Sequence, residues 1–177
     1  MAGNDIDARS EAAARLLVER LTEQHGKLVL AESCTAGLVS ALLARTSGAS
    51  AVLWGAFVCY SAEAKERMLG MDGDFLRRHG QVSRETARAM AMRALTIADA
   101  SIAAAVTGLA GPLADGSDTP VGTVWVAVAR QTGCGTTAGT EKELFFQGNR
   151  AEVRMQAAAA VLEALLEAAP ETGVWGA

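Results

Sequence analysis

KLVLAESCTAGLVSALLA, residues 27–44, contains the change of hydrophobic period that decides the fold. KLVLA predicts a short strand with no polar face, which is typical of the middle of a sheet covered on both sides. The spacing of Leu38, Val39, Leu42 and Leu43 then gives one apolar stripe, which predicts a helix from the ESCT turn to about Arg45. The segment therefore indicates a strand followed directly by a helix, a unit typical of α/β domains.

Further helices and strands are predicted on both sides of this segment. An amphipathic helix comes before it, with Ser10 as its cap and Gly26 at its end. The later helices are predicted over SAEAKERML, DGDFLRRHG, the residues from the Ser83 cap to about Ala98, and the residues from about Arg150 to Ala168. The later strands are predicted over AVLWGAFVCY, ASIAAAVT, TVWVAVA and, more weakly, EKELFF.

The order of these elements predicts the topology. Helices separate the first three strands, which favours parallel crossovers, whereas the last three strands follow each other closely enough for antiparallel pairing. We therefore expect an α/β fold, a three-layer α/β/α sandwich with a mixed sheet of about five strands. We expect one domain over residues 1–177, with its core at about 10–168.

Composition restricts the classes of function. Half of the 177 residues are hydrophobic and a fifth are charged, and the net charge of −4 disfavours binding to nucleic acid or to an acidic membrane. The odd, irregularly spaced cysteines (Cys34, Cys59 and Cys134) and the polar N-terminus indicate a reducing cytoplasm. His25 and His79 are far apart and have no ligand-spaced neighbours, which disfavours a metal site.

Ser33, Cys34 and Thr35 lie where the predicted strand meets the predicted helix. Free amides at a helix start hold oxyanions and phosphates, although a helix cap is the commoner role for Ser33 or Thr35. Cys34 has the alternative of a small buried hydrophobe. A serine nucleophile needs a base, and neither a nearby histidine nor a GxSxG or Ser-x-x-Lys pattern accompanies Ser33.

Lys65 is the base that the predicted topology offers to Ser33. If the first two strands are parallel neighbours, their carboxyl ends open into one crevice, so Lys65 and Tyr60 lie near Ser33. Holding Lys65 neutral at pH 7 costs about 4.6 kcal/mol, which burial or a cationic neighbour would offset, and the Tyr60 hydroxyl would relay the proton. The alternative is an exposed Lys65 paired with Glu63 or Glu66 and a Tyr60 at the edge of the core.

Two further segments supply candidate binding residues. TGLAGP places Thr107 at a strand end, and Gly108 and Gly111 allow a ligand close to the backbone, although a plain loop is the alternative. NRAEVRMQ places Arg150 and Arg154 on one face of the last helix. A phosphate or carboxylate would bind both guanidinium groups, and ordinary salt bridges are the alternative.

Six segments, in order and spacing, make the chain resemble the CinA C-terminal domain family, and within it the stand-alone nicotinamide mononucleotide deamidases. They are AESCTAG, YSAEAK, HGQVSRETARAMA, AVTGLAGP, PVGTVWVAVA and GNRAEVR, over about residues 10–168. The resemblance implies a three-layer α/β/α fold with a mixed sheet and a homodimer. It also implies hydrolysis of nicotinamide mononucleotide to nicotinate mononucleotide and ammonia, a step of pyridine nucleotide salvage, without metal or cofactor.

The resemblance assigns roles to residues of this chain. Ser33 attacks the carboxamide, Lys65 takes its proton and later serves the leaving ammonia, and Tyr60 matches the tyrosine that precedes the family's lysine. The amides around Cys34 and Thr35 would hold the oxyanion. Ribose and phosphate would be held by Thr107, Gly108, Gly111 and Arg150.

Two positions depart from the family pattern and keep other hypotheses open. Ala36 replaces a common glycine, and its methyl group would crowd the approach to the oxyanion, whereas Ala62 replaces an asparagine and removes a hydrogen-bonding group beside the lysine. These departures favour a catalytically silent nucleotide-binding or partner-binding domain linked to competence or DNA damage. A third hypothesis, a Cys34 hydrolase, lacks a histidine partner.

Overall fold

The computed structural model describes residues 2–113, 116–132 and 135–171, and Cys134 lies outside them. The helices in these ranges are α1 (Ala2–Glu23), α2 (Leu38–Ala44), α3 (Ala49–Val52), α4 (Ala62–Leu69), α5 (Gly73–His79), α6 (Arg84–Ala98) and α7 (Arg150–Ala168). The strands are β1 (Leu28–Glu32), β2 (Leu53–Val58), β3 (Ile102–Gly108), β4 (Thr123–Thr132) and β5 (Gly135–Phe145).

These strands form one mixed sheet in the order β2-β1-β3-β4-β5. β1 pairs in parallel with β2 and with β3, whereas β4 runs antiparallel to both β3 and β5. Every residue of β1 is buried, which the apolar sequence of residues 28–31 predicts and the charge of Glu32 does not. The predicted fold class and the predicted direction of each strand are therefore confirmed.

Helices cover the two faces of the sheet through two separate cores. On one face α1, α2, α3 and α7 pack through residues such as Leu17, Leu43 and Leu162. On the other face α4, α5 and α6 pack through residues such as Leu69 and Met90. Each fully buried side chain of this size contributes roughly 1.5–3 kcal/mol of hydrophobic stabilisation.

The predicted start of two helices was wrong. α1 begins before Ser10, and the Ser10 hydroxyl donates to the Ile6 carbonyl at 2.7 Å inside the helix instead of capping it. α2 begins at Leu38 and not at the ESCT turn, because Ala36 and Gly37 have left-handed φ angles of 51° and 90° that an α-helix cannot contain.

The carboxyl ends of β1, β2 and β3 lie at the same edge of the sheet because these strands are parallel. Backbone hydrogen bonds continue past the ends: the Ser33 N–H donates to the Val106 carbonyl at 3.0 Å, and the Cys59 N–H to the Glu32 carbonyl at 2.8 Å. Ser33, the residue after β1, is therefore held beside β3. Within the described ranges, no helix combines the length and apolarity needed to span a membrane.

Candidate active site

Ser33 and Lys65 meet at this edge of the sheet, as the strand order predicts. The Lys65 Nζ lies 3.1 Å from the Ser33 Oγ, although the two residues are 32 positions apart in sequence. Ser33 is 7% exposed and Lys65 is 0% exposed. The alternative of an exposed Lys65 paired with a glutamate is therefore excluded.

The placement of Lys65 follows from how α4 begins. Ser61 caps α4 by accepting the Ala64 N–H at 3.1 Å, and Lys65 then falls on the helix face that points into the protein. Burial lowers the pKa of the Lys65 amine below its ordinary value, while the nearby Cys59 and Cys34 side chains act in the opposite direction. A lysine with a lowered pKa is a candidate general base.

The turn after Ser33 contains the two amides that the sequence assigned to the oxyanion. In the described part of the chain, the N–H groups of Cys34 and Thr35 donate to no other residue, and the Ala36 N–H closes the turn onto the Ser33 carbonyl at 3.1 Å. The oxyanion role of these two amides stays a prediction. Cys34 lines the cleft, whereas Thr35 is wholly buried and is not among the lining residues.

Glu32 occupies the start of α2, which sequence reasoning missed. Its buried carboxylate accepts the N–H groups of Gly37 at 2.9 Å, Val39 at 3.1 Å and Ser40 at 2.9 Å. The positive end of this helix is therefore directed at Glu32 and not at the cleft. An acidic residue at the end of an otherwise apolar strand was the available signal.

Arg154 holds the same turn from the side of α7. Its guanidinium donates to the Cys34 carbonyl at 3.1 Å and to the Thr35 carbonyl at 2.7 Å. Because a trans peptide points its N–H away from its C=O, fixing the Cys34 carbonyl also fixes the direction of the Thr35 N–H. The expectation that Arg154 binds a phosphate or carboxylate is thus replaced by a role in holding this turn.

The Cys34 thiol is poorly suited to be the nucleophile. Burial raises its pKa to about 11, an effect that a hydrogen bond from its own backbone N–H and the charges of Lys65 and Arg154 only partly oppose. A thiol with this pKa is almost entirely protonated at neutral pH, and the thiolate is the reactive form. The structure therefore disfavours the hypothesis of a Cys34 hydrolase.

Gln81 joins the site although sequence reasoning did not select it. Its side-chain oxygen lies 3.4 Å from the Lys65 Nζ, and its backbone carbonyl accepts the Thr107 hydroxyl at 2.7 Å. The predicted ligand-binding hydroxyl of Thr107 thus has a protein partner. Gln81 precedes the cap of α6, and its position within HGQVS was the only signal in the sequence.

Arg150 and Tyr60 form the rim of the cleft. The Arg150 guanidinium donates to the Tyr60 hydroxyl and to the Gly111 carbonyl. Tyr60 is 53% exposed, and its hydroxyl is hydrogen-bonded to this arginine and not to the Ser33–Lys65 pair. The Gly111 carbonyl therefore binds Arg150. Gly108 lines the cleft and has no room for a side chain, because a Cβ would lie 2.8 Å from the Thr123 carbonyl oxygen.

The two departures from the family pattern lie outside the reacting groups. Ala36 is exposed and is not among the residues that line the cleft, so its methyl group does not crowd the site. Its φ of 51° is left-handed, so the substitution affects the backbone and not the space above Ser33. Ala62 is half-buried and packs against the core beneath α4.

The site is a cleft of about 200 Å³ at the edge of the sheet. Its lining includes Ser33, Tyr60, Lys65, Gln81, Thr107, Gly108 and Arg150. Open α/β sheets bind ligands at this edge, outside the carboxyl ends of parallel strands. The arrangement can activate a hydroxyl, stabilise an oxyanion and contact an anionic group on a small molecule.

Comparison with known proteins places this chain in a family. The model of the CinA C-terminal domain matches residues 10–169. A CinA-like protein of Geobacter sulfurreducens is 40% identical over 162 residues, which are 91% of this chain and 38% of that protein. A CinA-like protein of Anaeromyxobacter dehalogenans is 42% identical over 150 residues, which are 85% of this chain and 36% of that protein. The chain thus spans little more than a third of the length of these relatives.

Solved structures agree in fold. The competence/damage inducible protein of Agrobacterium tumefaciens superposes with a TM-score of 0.84 at 36% identity, over 90% of this chain and 94% of that one. A CinA superfamily protein of Escherichia coli superposes with a TM-score of 0.82 at 30% identity, over 89% of each chain.

Proposed function

The chain belongs to the CinA C-terminal domain family, and from this we propose that it is an amidohydrolase that converts nicotinamide mononucleotide to nicotinate mononucleotide and ammonia. The observation that carries the proposal is the 3.1 Å contact between the buried Lys65 amine and the Ser33 hydroxyl at the base of a cleft. Burial lowers the pKa of Lys65, and a lysine with a lowered pKa can activate a serine without a histidine. As the resemblance implies, we expect a homodimer. The cysteine pattern and the polar N-terminus lead us to expect that it acts in the cytoplasm.

The first half of the proposed reaction makes an acyl-enzyme. The neutral Lys65 amine takes the Ser33 proton as the Ser33 oxygen attacks the carboxamide carbon. The amides of Cys34 and Thr35 hold the oxyanion of the tetrahedral intermediate. When the C–N bond breaks, the Lys65 ammonium returns its proton to the leaving nitrogen, which departs as ammonia.

The second half regenerates the serine. Lys65 is neutral again and takes a proton from water, whose oxygen attacks the ester carbon. The tetrahedral intermediate then expels the Ser33 oxygen, which receives the proton from Lys65, and nicotinate mononucleotide leaves. We expect Arg150, at the rim of the cleft, to bind the phosphate of the substrate, and residues 107–110, which line the cleft, to contact the ribose.

The test is release of ammonia from nicotinamide mononucleotide by the wild-type chain, with nicotinate mononucleotide measured in parallel. We expect equal amounts of the two products and a loss of at least about 100-fold in Lys65→Met, because a general base contributes roughly 10²–10⁴. Lys142→Met is the matched control, since Lys142 on β5 is paired with Glu167 on α7 and neither residue lines the cleft.

Two outcomes would contradict the proposal. No ammonia from the wild-type chain at high enzyme concentration would exclude the activity. A rise in melting temperature with the mononucleotide, but without turnover, would instead support the catalytically silent nucleotide-binding domain.

A further inference from the structure

We propose that Gln81 is a positioning residue for the Lys65 amine: its side-chain oxygen accepts one N–H of that amine and so directs the lone pair towards Ser33. The inference rests on the proposed function, because it concerns how the proposed base is oriented. It adds a residue outside the matched serine, lysine and tyrosine.

The hydrogen-bonding capacity of the amine carries the inference. A neutral amine has two N–H donors and one lone pair, and only the lone pair can accept the Ser33 proton. The Lys65 Nζ lies 3.1 Å from the Ser33 Oγ and 3.4 Å from the Gln81 Oε1. An amide oxygen only accepts, so it holds an N–H on its own side and leaves the lone pair for the serine.

The backbone of Gln81 is anchored even though the residue lies on an exposed segment. The Thr107 hydroxyl donates to the Gln81 carbonyl at 2.7 Å, and Thr107 is 1% exposed on β3. This contact ties the segment between α5 and α6 to the central sheet. Thr107 thus acts on the proposed base through Gln81. This role explains why the Thr107 hydroxyl donates to a backbone carbonyl and not into the cleft.

The absence of charge on glutamine suits this position. A carboxylate at 3.4 Å would stabilise the ammonium form and keep Lys65 charged, whereas an amide offers an acceptor without a formal charge. The thiols of Cys34 and Cys59 are the titratable neighbours that act on the Lys65 charge. Of the charged side chains on the surrounding elements, Arg93 donates to the Leu69 carbonyl, Asp74 is paired with Arg77, and Arg150 is bound to Tyr60.

The first experiment follows the titration of Lys65 by NMR, which needs no turnover. The chain has three lysines, Lys27, Lys65 and Lys142, so ε-¹³C-lysine labelling gives three signals and Lys65→Met assigns one of them. In Gln81→Glu we expect the Lys65 midpoint to move up by about one pH unit or more, because an opposite charge in contact shifts a pKa by roughly 1–3 units. An unmoved midpoint would overturn the proposal.

The second experiment compares the rates of two variants across pH. In Gln81→Leu we expect kcat to fall about tenfold at every pH, the effect of roughly one hydrogen bond, with KM for the mononucleotide little changed. In Gln81→Glu we expect a low rate at neutral pH that recovers above the new midpoint, because the carboxylate still accepts the N–H. A merely structural role would not produce this recovery.

Gln131→Leu is the matched control, because Gln131 pairs with Asp99 at the other end of the sheet. Gln81→Leu with wild-type kcat, or Gln81→Glu without recovery at high pH, would overturn the proposal. If the Lys65 midpoint moves but no variant, nor the wild type, releases ammonia, the contact between Gln81 and Lys65 stands and the proposed function fails. The two failures are therefore distinguishable.

Discussion

The Lys65 side chain lies wholly out of solvent, where its charged form is destabilised. Within the described part of the chain, its amine is hydrogen-bonded to one hydroxyl and one amide oxygen, neither of which carries a charge. A buried lysine without a carboxylate is a poor choice for stability alone. We therefore expect this residue to trade stability for activity.

Lys65→Met should lower ammonia release by at least about 100-fold and raise the free energy of unfolding at pH 7 by about 1 kcal/mol. The gain should shrink as pH rises. Since burial lowers the folded pKa, the unfolded state binds more protons between that pKa and the unfolded value of about 10.4, so wild-type stability increases with pH across this window. Urea unfolding at several pH values measures the difference, and a less stable Lys65→Met at pH 7 would contradict this reasoning.

Ala36 is the second residue at which the sequence departs from local preference. A left-handed φ costs an L-residue about 1–2 kcal/mol, and alanine recovers roughly 0.4–1 kcal/mol of this through the smaller entropy of its unfolded chain. The methyl group itself is exposed and makes no part of the cleft. Since the cost of the left-handed φ exceeds the entropy gain, the folded chain should be more stable with glycine at this position.

Ala36→Gly should therefore stabilise the chain by roughly 0.5–1 kcal/mol, measured as a higher urea midpoint. Ala41→Gly is the matched control, because Ala41 is exposed inside α2 and has a helical backbone. There the same change should cost about 1 kcal/mol. Destabilisation by both substitutions to a similar extent would show that the strain at position 36 is absent.

At the scale of elements, the β1–α2 connection combines a strand end, a strained turn and a helix start within residues 32–38. Glu32 holds it from below by accepting three amides, and Arg154 holds it from α7 by donating to two carbonyls. Sequence patterns predicted that a strand meets a helix here. They did not predict the turn, because alanine is a strong helix former and gives no sign in the sequence of a left-handed backbone at position 36.

Arg154→Met should lower kcat for ammonia release by about tenfold to a hundredfold, because an oxyanion amide that moves by an ångström loses most of its effect. Arg20→Met is the matched control: Arg20 also donates to two backbone carbonyls, those of Leu166 and Ala169, each at 2.9 Å. Both variants should lose about 1–3 kcal/mol of stability. Equal activity losses in the two variants would argue against a role of Arg154 at the turn.

The whole molecule brings the site together through strand order. Ser33 follows β1, and Lys65 lies on the helix that follows β2, so a parallel β1–β2 pair is enough to place them at one edge. That juxtaposition could be predicted from sequence because it needs only topology. The contacts of Gln81, Glu32 and Arg154 could not, because they depend on the direction of individual side chains; the Arg154–Cys34 contact spans 120 residues.

The rate of ammonia release from nicotinamide mononucleotide by Ser33→Ala, relative to wild type, tests the central claim most directly. If Ser33 is the nucleophile, the rate should fall by at least about 1,000-fold, as expected when the attacking group is removed. Ser40→Ala is the control with an intact site, because the Ser40 hydroxyl donates to the carbonyl of Gly37, the N-cap of α2. A Ser33→Ala chain that keeps a tenth or more of the wild-type rate would contradict the assignment of Ser33 as the nucleophile.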